Sequence, residues 1–432
     1  MRIIFLQVID KGRVVDKVII VASLASFSVF LYLIWFNRWN IPAHVGLAFS
    51  IVAYVIPGLL TDYIDNYNEQ LVSLYAAILL VGTLFFLVGI ILGKFTPYPT
   101  LNRPILLTHG KFSEFFLNRV SRRSKTITIL AIIGLFLSFY VMGFIPAFAE
   151  DKLSAKFFRG NYKAAYEKVA VLYRSCHFAL SLLIVILLAL WSDTKRRFYL
   201  MLALAASAAL ALSLTRSPAV AGILTWLGLF MARKRISPAA YIFLMTISYA
   251  IGGISFFVFS GVEFGKTDLN GLWIAIARGT SDIIDQLNFL QAFLVQEKFT
   301  FGRTIYGGLI PGNYQWNPSV WTLTVLNDTN DISAVASGGL RLPPPLWGYV
   351  NFGWAGVASF CLIHGIISGW GIKFLKKHLT GGTLTHSAVI MSFYMTFWGF
   401  FINFFRMSFY QVLQIGILLI IAGAMSFRLR TP

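Results

Sequence analysis

Three charged residues in one stretch have the types and spacing for proton and phosphate chemistry. Arg278, Asp282 and Asp285 stand at i, i+4 and i+7 of the segment Gly271 to Gln296, whose pattern predicts a helix. That spacing places them on one helical face. Leu272, Ile274, Ile276, Ile283, Ile284, Leu287, Phe289 and Leu290 surround them, so the pattern predicts a helix with little free surface. A carboxylate shielded from water beside an arginine is either a general base or half of a structural ion pair, and the residues alone leave both open. As a base it would take a proton from an attacking hydroxyl, while an arginine would steady a leaving phosphate. Further arginines, namely Arg159, Arg174, Arg216, Arg303, Arg341 and Arg406, fall in or beside the connections between hydrophobic runs. Arginine grips phosphate through two parallel hydrogen bonds, which makes this set a candidate substrate-binding group.

The elements that must position these residues follow from composition. The chain has 432 residues, of which 57% are hydrophobic and 12% charged. A soluble domain carries about twice that fraction of charge. The mean hydropathy is +0.73. The apolar residues gather in runs of roughly 18 to 25, the length that crosses a bilayer as a helix. The weaker alternating pattern of an outer-membrane barrel is absent. The chain therefore reads as an all-α polytopic membrane protein, a single transmembrane domain over residues 1–432. About eleven spans are expected, near 17–36, 41–60, 71–93, 126–146, 171–191, 198–214, 218–231, 238–260, 346–371, 385–401 and 411–426. Met1 to Asp16 reads as a mixed interfacial segment without the core of a cleavable signal peptide.

Charge sets the orientation. Residues 94–125 hold seven Lys or Arg against one Glu, which marks a cytoplasmic loop. That places 147–170, a basic connection with Lys152, Lys156, Lys163 and Lys168, on the outer face, together with the long polar segment 261–345. The outer lysines suit lipid headgroups. The net charge of +19 reads as topogenic, not as a nucleic-acid footprint. Segment 261–345 is rich in aromatics, Gly and apolar residues, so it reads as a folded cap over a membrane-embedded cavity.

Within this frame, Ser217 and Pro218 predict a helix start beside Arg216, with Ser217 as N-cap and Pro218 as first helical residue. Free N–H groups there would add to an anion site or simply begin a helix. The glycine-rich turn from Gly302 to Gly308 could bring backbone N–H groups to a phosphate, and it lacks the Lys-Ser/Thr ending of a nucleotide loop. Tyr306 and Trp316 can stack on sugar faces or serve as interfacial anchors. Segment 261–345 has no His or Cys, so no metal site is expected, and no cofactor. Inverted repeats and broken helices, the marks of many transporters, are not legible in the sequence.

A basic loop before the fourth span, SLTRSP at the middle of the chain, ARGTSDIIDQLNFL in the outer segment and PPPLWGYVNFGWAGV entering the ninth span form a pattern. The chain resembles the bacterial oligosaccharide repeat-unit polymerases, the O-antigen polymerase group that includes the enterobacterial common antigen polymerases. The resemblance covers most of the chain in topology and these short stretches in residues. It implies a GT-C-like membrane glycosyltransferase in the bacterial cytoplasmic (inner) membrane, with its active site facing the periplasm. It implies undecaprenyl-pyrophosphate-linked glycans as donor and acceptor, a chain-length regulator and a repeat-unit flippase as partners, and no nucleic acid. It points to Arg216 and Arg278 among the outer-face arginines, although the paired Arg-x10-Gly pattern of some members is missing at both. The alternatives are an O-antigen ligase-type transferase, for which a histidine would be expected in 261–345, and a lipid-linked repeat-unit flippase.

Overall fold

The computed structural model describes residues 2–60, 67–97, 113–260, 282–310, 313–329, 339–380, 382–404 and 409–422. Among the described residues the regular structure is helical. In chain order the helices are α1 (Arg2–Val29), α2 (Ile41–Ser50), α3 (Ile56–Leu60), α4 (Glu69–Phe95), α5 (Ser113–Met142), α6 (Lys152–Phe157), α7 (Asn161–Glu167), α8 (Ala170–Thr194), α9 (Arg197–Leu212), α10 (Arg216–Arg233), α11 (Pro238–Ser260), α12 (Ile283–Gln296), α13 (Pro318–Leu326), α14 (Pro344–His378), α15 (Leu384–Phe393), α16 (Gly399–Ile402) and α17 (Phe409–Ala422). The π-turns Ile51–Val55 and Tyr394–Trp398 join α2 to α3 and α15 to α16.

Among the described residues six helical stretches are long and apolar enough to cross a membrane: Val14–Leu33, Ile41–Gly58, Glu69–Phe95, Phe116–Met142, Ala170–Thr194 and Pro344–His378. Four shorter apolar helices, Arg197–Leu212, Ser217–Arg233, Pro238–Gly252 and Val412–Ile421, accompany them where eleven spans are expected. The chain is a helical membrane protein. The N-terminus departs from expectation. α1 begins at Arg2 and runs unbroken to Val29, so residues 2–16 are continuous with the helix of the first expected span. A helix once started extends at little cost, and the mixed residues simply continue it.

Two compact units make up the chain. The first comprises 1–97, 238–372 and 402–407; the second comprises 98–237, 373–401 and 408–432. In the first, α4 is the central column. Asn68 caps it by accepting from the Gln70 N–H at 3.0 Å, with Glu69 in its first turn and Lys94 in its last, each matched to the helix dipole. Its Gly89 and Gly93 lie directly on Gly365 and Gly369 of α14, where any Cβ would strike the partner backbone. Small residues at this spacing let two helices approach closely in a bilayer, where packing rather than hydrophobicity drives association.

The described parts of the polar segment, 282–310, 313–329 and 339–345, belong to this unit and share its core. Ile283, Leu287, Leu290 and Phe293 of α12 are buried against Leu71, Val72 and Tyr75 of α4, Trp321 of α13, and Leu346, Trp347 and Val350 at the start of α14. Each such side chain contributes about 1.5–3 kcal/mol relative to exposure, so this face fixes α12 in place. α13 begins where Asn317 accepts from the Ser319 N–H at 3.1 Å and Pro318 opens the helix.

The second unit is built around α8, packed by α5, α9, α10, α15 and α17. Asp193, in the basic run DTKRR, accepts from the Leu384 and Thr385 N–H groups at 3.2 and 2.7 Å and from the Thr385 hydroxyl at 2.8 Å. Its carboxylate also lies 3.6 Å from Arg233. A carboxylate on free N–H groups at a helix start satisfies both hydrogen bonding and the dipole.

Candidate functional site

The charged centre of the first unit is Asp282, Asp285 and Arg341. Asp282 is the residue before α12, at the N-cap position, yet its side chain does not cap the helix. Its Oδ1 instead meets a guanidinium nitrogen of Arg341 at 2.9 Å, with the Asp282 side chain 3% exposed and that of Arg341 61% exposed. The backbone of Arg341 is pinned as well: buried Gln286 donates from Nε2 to its carbonyl at 2.8 Å and accepts from the Tyr75 hydroxyl. The guanidinium sits 5.8 Å from the Phe49 ring centroid. Arg341 is therefore held at its base and at one edge, and its side chain is otherwise largely exposed. Asp285, one turn into α12, is exposed. Surrounding protein nevertheless raises its carboxyl above the ordinary value, and the Arg341 charge draws it part of the way back.

Of the helix expected over 271–296, the described part is α12, which starts at Ile283; residues 271–281, with the Arg278 expected to meet Asp282, lie outside the described residues. Asp282 pairs with Arg341, a residue far along the chain. Where little free surface was expected, Asp285 is exposed, because residues 285, 288, 291 and 295 form the exposed face of an amphipathic helix whose other face carries the core. Arg278 and Arg406 lie outside the described residues.

The glycine-rich turn has a structural role in its own fold. Asn351, fully buried, accepts at Oδ1 from the Thr300 hydroxyl, from the Gly302 N–H at 3.0 Å and from the Thr304 hydroxyl at 3.0 Å. Its Nδ2 donates to the Trp347 carbonyl at 2.8 Å. The Thr300 and Thr304 hydroxyls and the Gly302 N–H are thus directed inward, onto Asn351. Gly302 holds φ +83°, which favours glycine. The turn presents Arg303 outward, with its guanidinium carbon 5.0 Å from the Trp316 ring centroid. Tyr306, half-buried, packs on the core and donates its N–H to the Phe404 carbonyl at 3.1 Å.

α14 is a broken helix, contrary to the sequence reading. Phe352 (φ −142°) and Gly353 (φ +59°) interrupt it one residue after Asn351. The reason is local: Asn351 ties the helix to the 300–304 turn, and Gly353 accepts the left-handed backbone that follows. The part before the break belongs to the cap's core. The part after it, Trp354–His378, has 25 residues and is long enough alone to cross a bilayer.

In the second unit the arginines sit on aromatic platforms. Phe158 stacks on Tyr166 with ring centroids 3.7 Å apart, and Tyr173 meets both edge-on. Arg174 lies over Tyr166 at 5.6 Å and donates from Nε to its hydroxyl. Exposed Arg159 lies over Phe157 at 5.1 Å. α10 starts at Arg216 with Thr215 before it, so Ser217 is the second helical residue and not the N-cap. Thr215 has other work: its hydroxyl donates to the Leu210 carbonyl at 3.0 Å and therefore accepts from His177 Nε2 at 2.8 Å, which puts the imidazole proton on Nε2. The Arg216 side chain lies outside the described residues.

Comparison of the chain with protein-family models, with curated proteins and with solved structures finds no match. The functional reading therefore rests on the geometry and the sequence. Among the described residues no group of His, Cys, Asp and Glu could hold a metal ion. Sequence reasoning missed Gln286, Tyr75, Asn351, His177 and Thr215. Each is a polar residue inside an apolar stretch, and that pattern could have flagged them, because a buried polar group needs a partner.

Proposed function

We propose that the protein is a membrane glycosyltransferase that polymerises oligosaccharide repeat units carried on undecaprenyl pyrophosphate, on the outer face of the bacterial cytoplasmic membrane. The observation that carries the reading is the cap centre, where one guanidinium held by a buried carboxylate stands beside a second, exposed carboxylate with a raised pKa. Such a pairing separates a cation for a leaving phosphate from a base for an attacking hydroxyl. In the step, the acceptor sugar hydroxyl attacks the anomeric carbon of the donor glycan. Asp285 takes the hydroxyl proton as the new C–O bond forms. The anomeric C–O bond to pyrophosphate breaks, and its electron pair leaves with the phosphate, whose negative charge Arg341 meets. Asp282 holds Arg341 in place, the role first read for it toward Arg278. Arg303 on Trp316, and Arg159 and Arg174 on their aromatic platforms, are suited to anionic and sugar groups of the lipid-linked substrates.

Transport is the reading from another class, and the break in α14 bears on it. Transporters place such breaks at the bilayer midplane. Here the break precedes a full-length helical stretch, at the end of the membrane segment where the cap begins, so it does not favour a carrier. Deleting the gene and resolving surface glycan on a gel tests the proposal. The expected result is loss of the polymer ladder with single capped units retained, restored by the wild-type gene and not by Asp285→Asn at equal expression. Complete loss of surface glycan sinks the polymerase reading in favour of export.

A further inference from the structure

The cap carries an aromatic edge that the chemistry above does not use. Phe301 is 72% exposed, and Phe299, Phe352 and Trp354 are also exposed. The rings form a continuous chain: Phe301 to Phe299 at 6.3 Å, Phe299 to Tyr349 at 6.3 Å, and Tyr349 to Trp354 at 5.8 Å. Phe352 closes the patch against Gly302, where an added Cβ would lie 3.2 Å from its ring. A water-soluble surface rarely leaves so many large apolar side chains together without a partner.

The position of the patch along α14 names that partner. From Trp354 to Ile372 the helix runs 19 residues, a rise of about 28 Å at 1.5 Å per residue. That is close to the ~30 Å hydrocarbon core of a bilayer. The sequence then continues with Lys373, Lys376 and Lys377. A span with Trp at one end and lysines at the other is registered between the two interfaces. Trp354 thus marks the interfacial level, and the ring chain extends that level sideways into the cap. Glu297 and Lys298, exposed beside Phe299, suit the headgroup layer just above.

We propose that this edge of the cap is a membrane-contact surface, with Phe301 inserted into the glycerol and upper acyl layer of the bilayer beside the α14 break. The contact anchors the polar segment at the membrane surface through aromatic insertion, and Asn351 couples it to the 300–304 turn. The proposal stands apart from the reaction assigned to the cap, since Phe301 does not belong to the charged centre.

The test is site-directed spin labelling of Phe301→Cys in the full-length protein, reconstituted into vesicles of phosphatidylethanolamine and phosphatidylglycerol. Cys176 and Cys361 are buried, and the unsubstituted chain provides the background. Power saturation should give a label that collides with oxygen several-fold more readily than with a water-soluble nickel chelate. Should Phe301→Cys fail to elute as a monodisperse species, Phe299→Cys, the next exposed ring in the chain, takes its place with the same expectation. A label that meets the nickel chelate as freely as oxygen overturns the proposal and assigns the patch to water or to a protein partner.

Discussion

Asp282 and Asp285 stand three residues apart and in different surroundings: one buried and paired with Arg341, the other exposed with a raised pKa. Their substitutions should differ accordingly. A base works only when deprotonated, so polymerisation should fall as pH drops through the Asp285 pKa, with the acid limb above the ordinary carboxylate range. A pH–rate profile in a reconstituted assay checks this, and a limb at the ordinary carboxylate value removes Asp285 as the base. The same shift has a sign in stability. A carboxyl whose folded pKa is raised favours folding below its unfolded pKa, and that contribution is lost as pH rises through the folded value. Asp285→Asn should therefore keep or raise the thermal midpoint at neutral pH. Arg341→Met deprives buried Asp282 of this partner and should cost about 1–2 kcal/mol, a figure held down by the exposure of Arg341. The two midpoints, measured side by side, test the assignment. Asp282 and Asp285 were legible as candidates from their types and spacing. The Asp282–Arg341 pair was not, because a contact between residues so distant in sequence leaves no periodic trace.

At the scale of elements, two contacts decide how the first unit holds its cap. The α4–α14 crossing depends on glycines: a Cβ at Gly365 would overlap the Phe86 carbonyl, which belongs to backbone and cannot swing aside. The Asn351 hub depends on one amide that receives three donors and supplies one. Gly365→Ala should cost about 1–3 kcal/mol through overpacking. Asn351→Leu leaves buried donors without a partner and should cost about 2–4 kcal/mol. Thermal unfolding in detergent, read by intrinsic fluorescence, should place both variants below wild type, and proteolysis near residues 300–304 should rise only in Asn351→Leu. Equal proteolysis in the two would mean that the hub does not hold the turn. The helices themselves were readable from apolar run length. The π-turns, the break at Gly353 and the continuous α1 were not, because each depends on local hydrogen-bond geometry that leaves hydropathy unchanged.

For the whole molecule the expectation is an orientation. Tyr314→Cys, at a position 53% exposed, should react with a membrane-impermeant maleimide in cells whose outer envelope is opened, while Asn102→Cys in the basic loop should react only after the cytoplasmic membrane is breached. The reverse labelling would place the cap in the cytoplasm and end the outer-face mechanism. The charge asymmetry behind this expectation is a property of the sequence, as are the helical class, the membrane environment and the location of the polar segment. They depend on composition and on the periodicity of neighbouring residues, and water and lipid act on those without reference to the rest of the fold. Tertiary structure alone decided that Asp282 faces Arg341, that the Gly302 N–H and the Thr300 and Thr304 hydroxyls meet on Asn351, and that the rings of Phe301, Phe299, Tyr349 and Trp354 form one chain. Those outcomes depend on how α4, α12 and α14 pack, and packing is settled by side-chain shapes brought together from distant parts of the chain.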